Sequence, residues 1–423
     1  MHPTPTRGRR VLATAAAGAA GLLVLTACGG SGFDDEGGDG AATSGDGGSL
    51  RILIGSSGDA ETDAVTAAVA AWSEESGVDA TVQVASDLNQ ELSQGFASGE
   101  PADVFYVSAD QFQTYASNGS LHPYGSELQN ADDFYPSLVD QFTYDDQLVC
   151  APKDFSTLGL VINTTAWEAA GLTDADVPAT WDQLTAVAGT LTTGDQVGLG
   201  FSGEYARVGA FLAQAGGTLV SEDGTEATAD SAENVEGLTY VQQLLASGSA
   251  AYAADLGTGW GGEAFGTGAA AMTIEGNWIT GALENDYPDV AYRVVELPAG
   301  PGGEGTLQFT NCWGVAADSD HQADAVDLVQ HLTATDQQLA FSEAFGVMPS
   351  VQSAADGWKA LYPEMTAFID SADVARNVVN ARGAADVITD FNARLEGLRS
   401  GDPAAILGSV QTNLQAVLDE NAS

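Results

Sequence analysis

The sequence predicts an α/β protein built on a parallel, right-handed sheet. Three observations carry this. The first folded stretch alternates strand, helix, strand, helix, strand. Hydrophobic residues make up 44% of the chain, enough for a packed core and too many for global disorder. The length of 423 residues suits two or three domains of roughly 150 residues each.

The elements follow in order. Leu50 to Ile54 is a short apolar strand that runs into a Gly/Ser turn. In AETDAVTAAVAAWSEES, Val65, Ala68, Val69 and Trp72 recur at helical spacing. VDATVQVAS is a second strand, LNQELSQGFASG a second helix, and ADVFYVS a third, buried strand ending at Ser108. Strand–helix–strand repeats at this spacing give a parallel α/β sheet, and such sheets bind ligands beyond the carboxyl ends of their strands. That marks Ser56 to Asp59, and the region after Val107, as cleft candidates. Further on, TWDQLTAVAGTL is a helix capped by Thr180. RVGAFLAQAGG and SAENVEGLTYVQQLLASG are helices closed by Gly216 and Gly248. AAAMTIEGNW is a strand entering a loop. QADAVDLVQHLTATDQQLAFSEAFG, then Ala360 to Val379 and Pro403 to Glu420, read as helices. No fixed-period repeat is present.

Charge is lopsided, with 59 acidic residues against 12 Lys+Arg and a net of −47. Such a surface repels phosphate backbones and anionic lipid, which argues against nucleic-acid binding and peripheral membrane docking. Three of the cations, Arg7, Arg9 and Arg10, precede the apolar run Val11 to Thr26. That run is short for a spanning helix, which needs about 20 residues, and suits the core of a secretory signal. It ends in Leu25-Thr26-Ala27-Cys28, which looks like a bacterial lipobox, with Cys28 the residue that takes the lipid. Residues 1–28 are thus expected to be a lipoprotein signal, and residues 29–49, rich in Gly, Ser and Asp, a flexible acidic tether. The export route, general or twin-arginine, stays open. With Cys28 lipidated, Cys150 and Cys312 remain. Outside the cytosol, two leftover thiols form a disulfide more often than a metal or catalytic site.

Motifs for chemistry are missing. GTGWGG, Gly257 to Gly262, fits a dinucleotide fingerprint in letters but follows no clear strand, and it reads as a flexible loop. There is no phosphate-binding G-x-x-x-x-G-K-[ST] and no G-x-S-x-G elbow. The four histidines, among them His321 and His331, form no metal-ligand spacing. No cofactor, metal or catalytic residue is expected. Carboxylate pairs are common, but so acidic a chain produces them by chance, and a glycosidase dyad is not marked out. What stands out instead is aromatic residues at strand ends and loops: Tyr106, Tyr115, Tyr205, Trp260, Trp278 and Trp313. Each is of a type found more often in cores. Trp260 and Trp278 differ, because their small neighbours in GTGWGGEAF and IEGNWITG leave a flat ring exposed, and an indole face packs against the C–H face of a sugar. Trp313 reads equally as core or cleft wall.

The order of motifs is more specific than any single one. A lipobox and acidic tether are followed by ILIGSSGDAETDAVTAAVAAWSEESGVDATV and GEPADVFYVSADQFQTYASNGSLHPY. Then come APKDFSTLGLVINTTAWEAAGL, PATWDQLTAVAGTL, FLAQAGGTLVSEDG and FGTGAAAMTIEGNWITG. TNCWGVAADSD, FGVMPS and GDPAAILGSVQTNLQAVLDE close the series. Over nearly all of the mature chain, the sequence resembles the extracellular solute-binding proteins of carbohydrate ABC importers, in the branch typified by maltose-binding protein. The resemblance implies a periplasmic-binding-protein-like clamshell (type II) of two α/β lobes. Residues 50–152 and 314–349 would form one, residues 153–313 and 350–423 the other. Hinge crossings are implied at APKDFSTLGL, FTNCWGV and near GVMPS. By the same token, Ser57, Asp59 and Glu61 lie in a loop at the cleft edge, and Tyr106 and Ser108 form its floor. Asn277 and Trp278 offer the stacking ring of the second lobe. Asp154, Tyr205, Trp260, Trp313 and Arg382 are further ligand candidates. Lys153 is left between sugar contact and hinge salt bridge, and Arg376 reads as a helix-surface ion pair.

The implied protein is a non-enzymatic, monomeric lipoprotein on the outer face of the cytoplasmic membrane. It would pass a sugar to permease subunits. A sensory lipoprotein without transport, or a binder of a non-sugar such as a polyamine, would use the same clamshell. The cysteine pair departs from maltose-binding protein.

Overall fold

Two long strands organise the molecule. In the computed structural model, which describes residues 49–221 and 223–422, they are β4 (Ala151–Asn163) and β9 (Thr306–Val315), antiparallel neighbours at the centre of an 11-stranded sheet. The signal segment, Cys28 and the tether as far as residue 48 lie outside the described residues. On one side of the central pair stand β1 (Leu50–Ile54), β2 (Ala80–Val84) and β3 (Val104–Ser108), with β1 parallel to both others. On the other stand β5 (Val197–Phe201), β6 (Ala250–Tyr252) and β7 (Ala270–Gly276), with β5 parallel to both of its neighbours. The order is β2-β1-β3-β9-β4-β7-β5-β6. Three short strands attach beside the path. β8 (Tyr292–Val295) and β10 (Met348–Pro349) pair with β4, and β11 (Ala375–Asn377) pairs with β9.

This topology makes two α/β halves that share strands. β4 pairs with β9 through its first half and with β7 through its second, from Leu158 to Ile162. β9 pairs with β3 through Asn311–Val315. Each half has its own core, as its chain pattern dictates. In the first half, β1, the inward face of the Asp59–Ser76 helix (Val65, Val69, Trp72) and the Gln322–Leu332 helix bury one another. In the second, β5 packs against the Tyr205–Gln214 and Ala232–Ser247 helices, and the C-terminal Pro403–Asn421 helix covers them. The expected caps are in place. Thr180 accepts from the Gln183 amide, and Gly248 closes its helix at φ 77°, a left-handed turn that glycine adopts without strain.

Several expected elements differ. The stretch from Gln322 to Phe345 is two helices, Gln322–Leu332 and Thr335–Phe345, because the Thr333 hydroxyl turns back to the Val329 carbonyl and Ala334 is extended. Ala360 to Val379 is not one helix. Pro363 cannot continue a helix and pushes Tyr362 out of the helical region, to φ −129°, ψ 64°, so the chain breaks into short turns and ends in β11. Arg376 therefore lies exposed in a strand, not on a helix. Asp59 and Glu61 sit in the first helical turn of Asp59–Ser76 rather than in a loop. Gly261 begins a short helix, Gly261–Gly266, within the glycine-rich stretch expected to be a loop. The helices Ile279–Asp286 and Ala384–Leu395 carried no signal that sequence reasoning used.

Candidate functional site

The first feature of the site is a β-bulge. Asn311 of β9 faces Asp154 of β4, but the next residue, Cys312, faces Pro152, so Lys153 is an extra residue with no partner across the ladder. Regular strands send successive side chains to opposite faces. A bulge breaks that alternation and re-aims a side chain. Here the Lys153 ammonium reaches the carboxylate of its own neighbour, Asp154. Pro152, which has no amide to donate, suits a position where the ladder is interrupted. Just before it, Cys150 is joined to Cys312 by a disulfide with Cα atoms 5.6 Å apart. The disulfide and the bulge fasten β4 to β9 within a few residues of each other.

Around Lys153 the first half contributes a buried polar cluster. Glu61, brought in by the first turn of its helix beyond β1, binds the ammonium at 3.0 Å. Its second oxygen accepts from the amide and hydroxyl of Ser57, each at 2.7 Å, and Tyr106 of β3 donates its hydroxyl to the first oxygen at 3.0 Å. The ammonium also lies 4.5 Å from the centre of the Tyr106 ring. Burial opposes the charge on Glu61, but the Lys153 charge and the Ser57 bonds outweigh it and hold the carboxyl below its usual range. Burial likewise opposes the ammonium, yet Asp154, Tyr106 and Glu61 keep it firmly protonated. Asp154, whose side chain is held by Lys153 alone among the described residues, is pushed up by burial.

The second half contributes a matching cluster at the ends of its parallel strands. Arg207, in the first turn of the Tyr205–Gln214 helix beyond β5, binds Glu204 at 2.9 Å and Glu275 of β7 at 2.5 Å. Glu275 is fully buried, and burial raises its carboxyl despite Arg207. Its Oε2 also accepts from the Trp278 indole at 3.0 Å. Trp278 itself is 37% exposed, one of few large apolar side chains left open among the described residues. Its ring folds back over the strand end, since a Cβ at Gly276 would lie 2.3 Å from it. The Arg207 guanidinium is 5.2 Å from the ring centre, and Phe309 of β9 meets it edge-on at 5.4 Å.

The two clusters are adjacent. Phe309 is two residues from Asn311, which pairs with both Asp154 and Ser108. Asn277 donates to the Gly346 carbonyl at 2.9 Å, and the neighbouring Phe345 ring lies 5.7 Å from the Lys153 ammonium. The structure thus gathers Ser57, Glu61, Tyr106, Ser108, Asp154, Asn277 and Trp278 about the carboxyl ends of strands from both halves, where α/β sheets bind ligands. Asp59 is exposed on the same helical turn as Glu61. Tyr205 and Arg382 lie elsewhere along the gap between the halves. With Gln113, Tyr144 and Asn377 they line a cavity of about 830 Å³. Arg382 is tied there to Asn421 at 2.9 Å. Trp260 packs its half-buried ring against a separate apolar cluster that holds Phe265, Ile279 and Phe368, and over Gly262. Trp313 has no exposed surface and stands edge-on to Tyr106 at 4.7 Å, inside the first core.

Sequence reasoning did not single out Arg207, Glu275, Phe309 or Phe345. A signal existed for two of them. Glu275 is the one charged residue in a strand that is otherwise apolar but for Thr273, and Arg207 is one of only 12 cations in the chain. Among the described residues no cluster of His, Cys, Asp and Glu is arranged to hold a metal, and no helix is long and apolar enough to cross a membrane.

Two α/β halves joined by crossing strands, with polar and aromatic side chains gathered where the strand ends meet, define a type II binding clamshell. The chain belongs to the bacterial extracellular solute-binding protein family, whose profile matches residues 67–368. It is 26% identical to the diacetylchitobiose-binding protein DasA of Streptomyces coelicolor over 354 residues, 80% of this chain and 82% of that one. Its fold is similar to that of the sugar-binding protein MalE from Xanthomonas citri, with TM-score 0.79 at 17% identity over 89% of this chain and 98% of that one. It is also similar to that of a cyclic α-maltosyl-1,6-maltose binding protein from Arthrobacter globiformis, with TM-score 0.78 at 23% identity over 88% and 99%.

Proposed function

We propose that the protein captures a sugar between its two halves and delivers it to the permease of an ABC importer, without chemistry on the sugar. The observation that carries this is Trp278. It is an open indole at the end of β7, braced from behind by Glu275 and from the side by Phe309, beside the hydrogen-bonding groups of the opposite half. A flat ring flanked by polar side chains suits a ligand whose one face is C–H and whose rim is hydroxyl. The diacetylchitobiose-binding relative and the sugar-binding structural neighbours support the same class of ligand.

In this reading, residues 50–152 and 314–349 act as one lobe and residues 153–313 and 350–423 as the other. A sugar that touches both biases the open–closed equilibrium toward closure, and the closed shape is what the permease reads. Lipid at Cys28 and the tether of residues 29–49 keep the monomeric lobes at the outer face of the cytoplasmic membrane. Trp278→Ala should weaken the best-bound sugar by about 1–3 kcal/mol, the scale of a well-buried aromatic contact. Calorimetric titration measures it, and an unchanged affinity removes Trp278 from the site.

A further inference from the structure

Given the sugar reading, on which this step rests, we infer that the site takes a neutral or cationic sugar and rejects an anionic one such as a uronate. Charge-assisted recognition of a carboxylate uses a Lys or Arg free to turn toward the ligand. The strand-end clusters around Trp278 have two, and each is already held by two carboxylates: Lys153 by Glu61 and Asp154, Arg207 by Glu204 and Glu275; Arg376 and Arg382 line the other cavity along the gap. Each group carries a net charge of −1 when ionised. If Asp154 or Glu275 takes up a proton, its group becomes neutral, and the cation still has a carboxylate partner.

The unpaired atoms point the same way. Among the described residues, Glu275 Oε1, Asn277 Oδ1 and Thr273 Oγ1 are buried without a hydrogen-bond partner, on residues with 0%, 6% and 0% exposure. Two of these can only accept. Glu275 Oε1 and Thr273 Oγ1 both press on Gly261, where a Cβ would lie 2.7 Å from each and would not fit. Arg207 Nε is an unpaired donor, and the unpaired hydroxyls of Thr273 and Ser108 can donate or accept. Acceptors left without donors in a buried place are costly, and a molecule bearing hydroxyl, amide or ammonium hydrogens relieves that cost. A carboxylate or phosphate brings acceptors to acceptors and adds negative charge to a site whose groups are neutral or negative.

The test is calorimetric. The whole protein is titrated with maltose, cellobiose, N,N′-diacetylchitobiose and chitobiose, and then with the C6 uronate made from the tightest binder. The expected result is that the uronate binds at least about 30-fold more weakly, the scale of one unit of like charge a few ångströms away at intermediate dielectric. Asp154→Asn and Glu275→Gln, which keep shape and remove charge, should each shrink that ratio at least about threefold. A uronate that binds as well as its parent overturns the inference, as does a ratio unchanged in both variants. If no member of the panel binds, the capture reading itself falls and takes this inference with it.

Discussion

Lys153→Met isolates the energetics of the bulge. The substitution keeps the apolar stem and removes the ammonium. Lys153, Glu61 and Asp154 are exposed by only 6%, 4% and 9%, so the two carboxylates left behind have little access to water. Glu61 would keep its Ser57 and Tyr106 bonds, while Asp154 would lose the only partner of its side chain. Breaking a buried pair in this way costs about 3–5 kcal/mol, mostly as the penalty of an uncompensated charge. Mutual repulsion of the two carboxylates, about 3 kcal/mol at 5 Å and an effective dielectric of 20, is of the same order. The sign with pH follows. In the wild type Glu61 is held below its unfolded value, so it contributes stability at neutral pH that is lost as pH falls through its folded value. The variant lacks the share of that contribution that Lys153 supplies, and protonation relieves its stranded charges. The difference between the two proteins should therefore shrink between pH 7 and the ordinary carboxylate range near about 4. Urea unfolding followed by tryptophan fluorescence at pH 7 and pH 5 measures it, and Lys153→Met/Asp154→Asn should recover part of the loss. A cost below about 1 kcal/mol at pH 7, or one that does not shrink at pH 5, refutes the reasoning.

Two further predictions concern the covalent features. Replacing Cys150 and Cys312 by Ser opens a loop closed across 162 residues, worth about 5 kcal/mol on loop-closure entropy, and should lower Tm markedly. Intact mass with and without reductant checks the bond, and two free thiols in exported protein would sink it. Lipidation predicts that Cys28→Ser releases the protein from membrane fractions, and a variant that stays bound would show that something other than Cys28 holds it.

Much of the fold was legible because its signals are local. Helical spacing at Val65, Val69 and Trp72, the Thr180 cap and the glycine stops are set by neighbours in sequence, and they appear in the structure. The lone cysteine pair was legible for a different reason: with few thiols there are few pairings. What stayed hidden depends on register. Lys153 and Asp154 face one cluster only because β4 slips by one residue against β9, and no pattern within β4 announces a slip that its partner strand defines. Arg207 and Glu275 are 68 residues apart and meet only when β5 and β7 align, so neither stood out alone. The break at Pro363 was readable from proline chemistry, and the apolar run around it masked it.

Small-angle scattering with and without a saturating sugar tests the central claim most directly, because capture by closure changes the molecule's dimensions. At least one neutral sugar should lower the radius of gyration of the wild type, and Trp278→Ala should require more of that sugar for the same change. A sugar that binds calorimetrically while the radius of gyration stays constant would contradict closure of two halves around a ligand.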